Sequence, residues 1–125
     1  MNKKKKIGND FIQLSGEDAT ALEFNLRGGR GCFSVTANIA PKLCSEFQAA
    51  SLAKNNDNLL ARAKEINDKL MPLHKSLFIE SNPSPIKYAA NLLKLCSDEV
   101  RLPLVRVTSE TKEKIKSAMQ HANLI

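Results

Sequence analysis

A chain of 125 residues suits a single domain, and 42% hydrophobic with 26% charged residues is ordinary for a soluble globular protein. The net charge of +6 is uneven: residues 1–10 hold Lys3, Lys4, Lys5 and Lys6 against Asp10, and the remaining body is close to neutral. This balance excludes a protein basic throughout. With no long apolar run anywhere, and with Ile7-Gly8-Asn9-Asp10 following the lysines at once, neither a membrane span nor a secretory leader is expected. A cytoplasmic location follows as an expectation. The lysine run could contact phosphates, but the chain has one tyrosine, no tryptophan and no glycine–arginine repeat. Residues 1–8 therefore read as a solvated basic tail, with neither membrane nor nucleic acid expected as a partner.

Taken in order, Phe11, Ile12 and Leu14 form a short apolar run ended by Ser15-Gly16, which predicts a strand. Ser15 and Asp18 have the spacing of a helix N-cap, and Glu17 and Asp18 fit a first helical turn. Ala19, Leu22 and Leu26 then predict the apolar stripe of a short helix. Arg27-Gly28-Gly29-Arg30-Gly31 breaks it, and Cys32 to Thr36 predicts a second strand. Strand, helix and strand in so few residues make a βαβ unit with parallel strands.

Beyond Pro41 the pattern is helical. Leu43, Phe47 and Ala50 line one face, Lys54 to Asn58 makes a polar turn, and Leu59, Ala63, Ile66, Leu70, Leu73 and Leu77 form a long apolar seam. Pro72 within that seam is expected to kink or split the helix. Pro85 starts another helix with Ile86, Ala89, Ala90 and Leu93 on its inner side. After an irregular Leu104 to Val107, a last helix from about Ser109 carries Ile115, Ala118, Met119 and Ala122.

Candidate chemistry is sparse. Cys32, Cys44 and Cys96 are irregularly spaced and read as buried small apolar residues in a reducing compartment. His74 and His121 have no second ligand at metal spacing, so no metal is expected, and His121 suits the negative end of a helix. Two parallel strands also lack a sheet to bury them. Burying a large apolar side chain stabilises by about 1.5–3 kcal/mol, against about 1–2 kcal/mol to order one residue's backbone. The inventory looks like part of a larger fold.

The blocks LSGEDATALEF, GGRGCFSVTANIAP, INDKLMPLHKSLFIESNPSPIKYA and EVRLPLVRVTSETKEKI, in this order, resemble the C-terminal part of the 4-hydroxy-tetrahydrodipicolinate synthase (dihydrodipicolinate synthase) family from about Ile7 onward. The resemblance implies an α/β fold: a partial (β/α)₈ TIM barrel, its last two strands and helices in residues 9–56, then a C-terminal helical bundle in residues 57–125. It implies the class I aldolase chemistry of a lyase on the diaminopimelate and lysine route. There a lysine forms a Schiff base with pyruvate and the enamine attacks aspartate 4-semialdehyde, without a cofactor. In the family that lysine, the tyrosine relay, the threonine pair holding the carboxylate and the feedback site all come before the position of Met1. Lys3 to Lys6 fall on the following helix. No catalytic residue is thus expected in this chain, and activity alone is not expected.

Two pyruvate-side positions carry over by resemblance. Gly16 matches a glycine beside bound pyruvate, at the strand end where barrel sites lie. Phe33 stands where the family usually has isoleucine. Read without the family, Gly16 is a tight turn and Phe33 a core side chain. Tyr88 is not the relay tyrosine, and Glu17 with Asp18 is a helix cap rather than a catalytic pair. The implied partners are a separate N-terminal half of the barrel, further copies in a homo-oligomer, and pyruvate once the site is complete. The runner-up within the superfamily is an N-acetylneuraminate lyase-like fragment, against which the blocks Met71 to His74 and Asn82 to Lys87 favour the synthase. A reading of another class is a repurposed helical interaction or nucleic-acid-binding protein, using the helical bundle and the basic tail.

Overall fold

The computed structural model describes Gly8, residues 10–53 and residues 55–125. The lysine run of the expected tail lies outside the described residues. A 3₁₀ turn, Asp18–Thr20, runs into the short helix α1, Ala21–Leu26; a second 3₁₀ turn, Thr36–Asn38, precedes α2, Pro41–Leu52. Then come α3, Asp57–Ser76, α4, Ser84–Leu92, and α5, Ser109–His121.

Among the described residues no strand forms. The two predicted strands are reduced to one parallel pairing of Ser15 with Cys32, so the expected direction is present and the expected ladder is not. The reason is the one the sequence raised: a parallel pair needs neighbours on both sides and cover on both faces. Phe11, Ile12 and Leu14 accordingly stay exposed, and Cys32 to Thr36 turns into the second 3₁₀ turn.

The core is helical and centred on α3. Its face of Ala63, Ile66, Leu70, Leu73 and the following Leu77 is buried, while Leu59 sits at the rim. Four large side chains of this face, Ile66, Leu70, Leu73 and Leu77, are each worth about 1.5–3 kcal/mol relative to exposure. Helices α2 and α5 pack against α3, the second 3₁₀ turn packs against α2, and α4 packs on α5; Ile86, Ala89 and Ala90 of α4 and Ile115, Ala118 and Met119 of α5 belong to the same core. Pro72 does not split α3: it lies on the exposed side, where the missing N–H interrupts the ladder without opening the core.

Local chemistry fixes the ends. Asn56 Oδ1 accepts from Leu59 N at 3.0 Å at the start of α3, and Pro41 and Pro85 occupy first-turn positions of α2 and α4. Thr108 caps α5 by accepting from Thr111 N at 3.3 Å. Thr108 is itself held from the loop after α3: its N and Oγ1 both donate to Glu80 Oε2, at 3.0 and 3.1 Å. Hydrogen bonding from the Thr111 side chain first, and then from Thr108, holds the Glu80 carboxyl below its usual range.

Helix α1 departs from its predicted stripe. The buried positions are Ala21 and Asn25, with Leu22 half-buried and Leu26 exposed. The polar side chain sets the rotation: Asn25 Nδ2 donates to Gln48 Oε1 at 2.8 Å and to Ser51 Oγ at 2.9 Å, pinning α1 to α2. Cys96 is exposed and Cys32 half-buried, so only Cys44 fits the expectation of a buried thiol; all three are free.

Candidate substrate-side loops and their support

The parallel pairing is held by three backbone bonds. Ser15 N donates to Gly31 O at 2.8 Å, Phe33 N to Ser15 O at 2.8 Å and Arg30 N to Gln13 O at 2.9 Å. The glycine-rich turn makes this approach possible. Gly28 has φ +97°, a conformation open to glycine. A Cβ on Gly29 would lie 2.3 Å from the Phe24 ring and 2.8 Å from Phe24 O.

Gly16 follows one bridge residue and Phe33 the other, so the two residues carried over by resemblance end up side by side. Both are exposed, and a Cβ on Gly16 would meet nothing within 4 Å. Within this chain, then, no neighbouring atom requires the absence of a side chain at position 16. Phe33 is 73% exposed, which overturns its alternative reading as a core side chain.

Beneath them lies a buried polar cluster that sequence reasoning missed. The expected Ser15 cap does not form: Glu17 holds the N-cap position without a side-chain cap bond, Ser15 Oγ accepts from Glu17 N at 3.1 Å, and Asp18 does not cap its own turn. The buried Asp18 reaches across the chain, and its Oδ2 accepts from Val35 N at 2.9 Å and Thr36 N at 3.2 Å. It thereby caps the second 3₁₀ turn, where backbone donors would otherwise be unpaired. Thr36, fully buried, places Oγ1 2.7 Å from His74 Nδ1 on α3. Burial lowers the His74 pKa below the ordinary histidine value, opposed by attraction from Asp18; the Thr36–His74 bond carries one proton, held by the Thr36 hydroxyl or by Nδ1 according to the tautomer of the ring. The available signal was position: His74 falls between Leu70 and Leu77 on the apolar seam of α3.

The neighbouring thiols are quiet. Burial pushes the Cys32 thiol up, with Asp18 adding to the effect, and burial drives Cys44 to about 11. Glu17 is exposed and Asp18 buried, so the adjacent acids do not act as a pair. Tyr88 is buried, with Lys112 Nζ 5.5 Å from its ring centroid. Among the described residues, no group of three His, Cys, Asp or Glu side chains is placed to hold a metal, and no helix is long and apolar enough to cross a membrane.

Comparison with known proteins gives one answer. The pattern of the Dihydrodipicolinate synthetase family matches residues 1–122, including the four-lysine run. The chain is 62% identical over 122 residues to a 4-hydroxy-tetrahydrodipicolinate synthase of Pelagibacter ubique, covering 98% of this chain and 41% of that protein. Against the Parvibaculum lavamentivorans synthase the identity is 55%, covering 98% and 40%. Among solved structures, the chloride-inhibited dihydrodipicolinate synthase of Acinetobacter baumannii complexed with pyruvate superposes with TM-score 0.89 at 38% identity, covering 98% of this chain and 40% of that one. The Aquifex aeolicus dihydrodipicolinate synthase superposes with TM-score 0.88 at 36% identity, over 97% and 40%. The chain thus spans about two fifths of the length of the relatives it matches. Matched along nearly all of its own length, the chain belongs to the dihydrodipicolinate synthetase family.

Proposed function

We propose that this chain supplies the C-terminal part of a 4-hydroxy-tetrahydrodipicolinate synthase-like barrel. In this reading Gly16 and Phe33 form part of the pyruvate side of the site, and the Schiff-base lysine comes from the complementary part. Class I aldolase chemistry needs an amine that can shed its proton in a desolvated site, and donors for the pyruvate carboxylate. The observation that carries the reading is the pairing of Ser15 with Cys32, which sets Gly16 beside Phe33 within a chain 62% identical to a synthase. Gly16 leaves room for the substrate to approach, and Phe33 offers its main chain while its ring narrows the space. The exposed Phe11, Ile12, Leu14 and Phe33 are the surface on which the rest of the barrel would pack. A cytoplasmic location, and homo-oligomers of the assembled barrel, belong to the same proposal; three free thiols suit a reducing compartment.

Borohydride trapping tests it. Pyruvate and borohydride are expected to leave this chain unlabelled by itself. Mixed with a separately expressed N-terminal portion of the Pelagibacter ubique relative, they are expected to label that portion, because reduction converts its lysine imine into a stable secondary amine. Label on this chain alone, or none in the mixture, would overturn the proposal.

A further inference from the structure

The loops carrying Gly16 and Phe33 have few anchors of their own. Their direct connection is the single parallel pairing, and both side-chain positions face open space. Two residues after Gly16, however, the chain plunges inward at Asp18; three residues after Phe33 it does so at Thr36. Asp18 ties the two loops to each other through the Val35 and Thr36 amides, and Thr36 ties both to His74 of α3. All three side chains are buried, and His74 sits in the seam with Leu70, Leu73 and Leu77.

We infer that Asp18, Thr36 and His74 are positioning residues for the pyruvate side of the site, holding the Gly16 and Phe33 loops at a fixed setting against α3. The inference rests on the synthase reading for its substrate, but the mechanical link is a property of this chain. Helix α3 contributes no candidate substrate contact, yet through His74 it determines where the two loops stand. The Thr36 hydroxyl is the joint: the side chain is fully buried, and the hydroxyl is its only part that can hydrogen-bond. Replacing that hydroxyl by a methyl keeps the branched shape and leaves His74 Nδ1 without this partner.

The test compares Thr36→Val with Thr36→Ser. In the chain by itself, Thr36→Val is expected to speed amide hydrogen exchange over residues 13–18 and 30–36 by about tenfold, while α4 and α5 stay within about twofold. Thr36→Ser is expected to restore the wild-type pattern. A uniform rise across the chain, or no rise, would overturn the link. The bond is read from its other side by His74→Leu against His74→Asn, whose amide can replace Nδ1 as acceptor or donor; loops loosened in the Leu variant and held in the Asn variant are expected, and this pair decides the matter if Thr36→Val does not fold. In the mixture with the N-terminal portion, Thr36→Val is expected to raise KM for pyruvate by about tenfold with kcat within about threefold. An equal KM with a reduced amount of active complex would reduce the role to ordinary stability and refute the positioning claim. Absence of label in the mixture made with the wild-type chain refutes the synthase reading and the pyruvate assignment together. The exchange data then still decide whether Thr36 holds the loops.

Discussion

Replacing Asp18 puts the cap on the second 3₁₀ turn to a quantitative test. Its carboxylate accepts two backbone bonds, at 2.9 and 3.2 Å, from a segment whose Thr36 is wholly buried. Hydrogen bonds to charged groups contribute about 1.5–3 kcal/mol each, and a buried donor left alone costs about 1–3 kcal/mol. The longer bond belongs to the low end, and removing the carboxylate also relieves its own desolvation. Asp18→Ala is therefore expected to destabilise by about 3–4 kcal/mol. Asp18→Asn keeps an acceptor oxygen of the same shape and loses only the charge, so about 1–2 kcal/mol is expected. Urea titration followed by helical circular dichroism, at constant salt and pH 8, measures both. An Asp18→Ala change below about 0.5 kcal/mol, or an Asn variant as unstable as the Ala one, would refute the assignment of Asp18 as this cap.

Three further outcomes are expected. Because burial depresses the His74 pKa in the folded state, the unfolded chain binds the proton first as pH falls; His74's contribution is complete above about pH 6.5 and is lost below it, with a slope of at most about 1.4 kcal/mol per pH unit. Urea midpoints from pH 8 to 5 check this, and His74→Asn is expected to flatten that part of the profile. With a thiol reagent at pH 8, exposed Cys96 is expected to react first and half-buried Cys32 slowly. Cys44, with a pKa of about 11 and so a thiolate fraction of about one in a thousand, is expected to react only on unfolding; peptide mapping of the label gives the order. Gly29→Ala sets a methyl group against the Phe24 ring and carbonyl, and a loss of about 1–3 kcal/mol in urea titration is expected because the carbonyl cannot swing aside as the ring can.

Helices α2 to α5 were legible because their burial is periodic and their starts are marked by Pro41, Asn56, Pro85 and Thr108. Even the parallel sense of the first pairing was legible, from the length of the segment that joins its halves. The two strands did not form because Phe11 to Leu14 has no neighbour to complete a ladder, and β-propensity expresses itself only on a surface that something covers. Rotation of α1 was hidden because an apolar stripe predicts burial by side-chain type, whereas Asn25 is drawn inward by partners 23 and 26 positions away. Gly16 and Phe33 became candidates only through the family blocks; nothing in their own spacing marks them. The support beneath them was less visible still. Asp18, Thr36 and His74 stand 18 and 38 residues apart, and each has an ordinary local explanation as cap, strand or seam residue.

The grip of Glu80 on Thr108 has an architectural consequence. The start of the last helix is set by a carboxylate 28 positions earlier, across the whole of α4. Lengthening the connector between α3 and α4 would therefore register at a distance, as unravelling of the first turn of α5, while the helix next to the insertion kept its place.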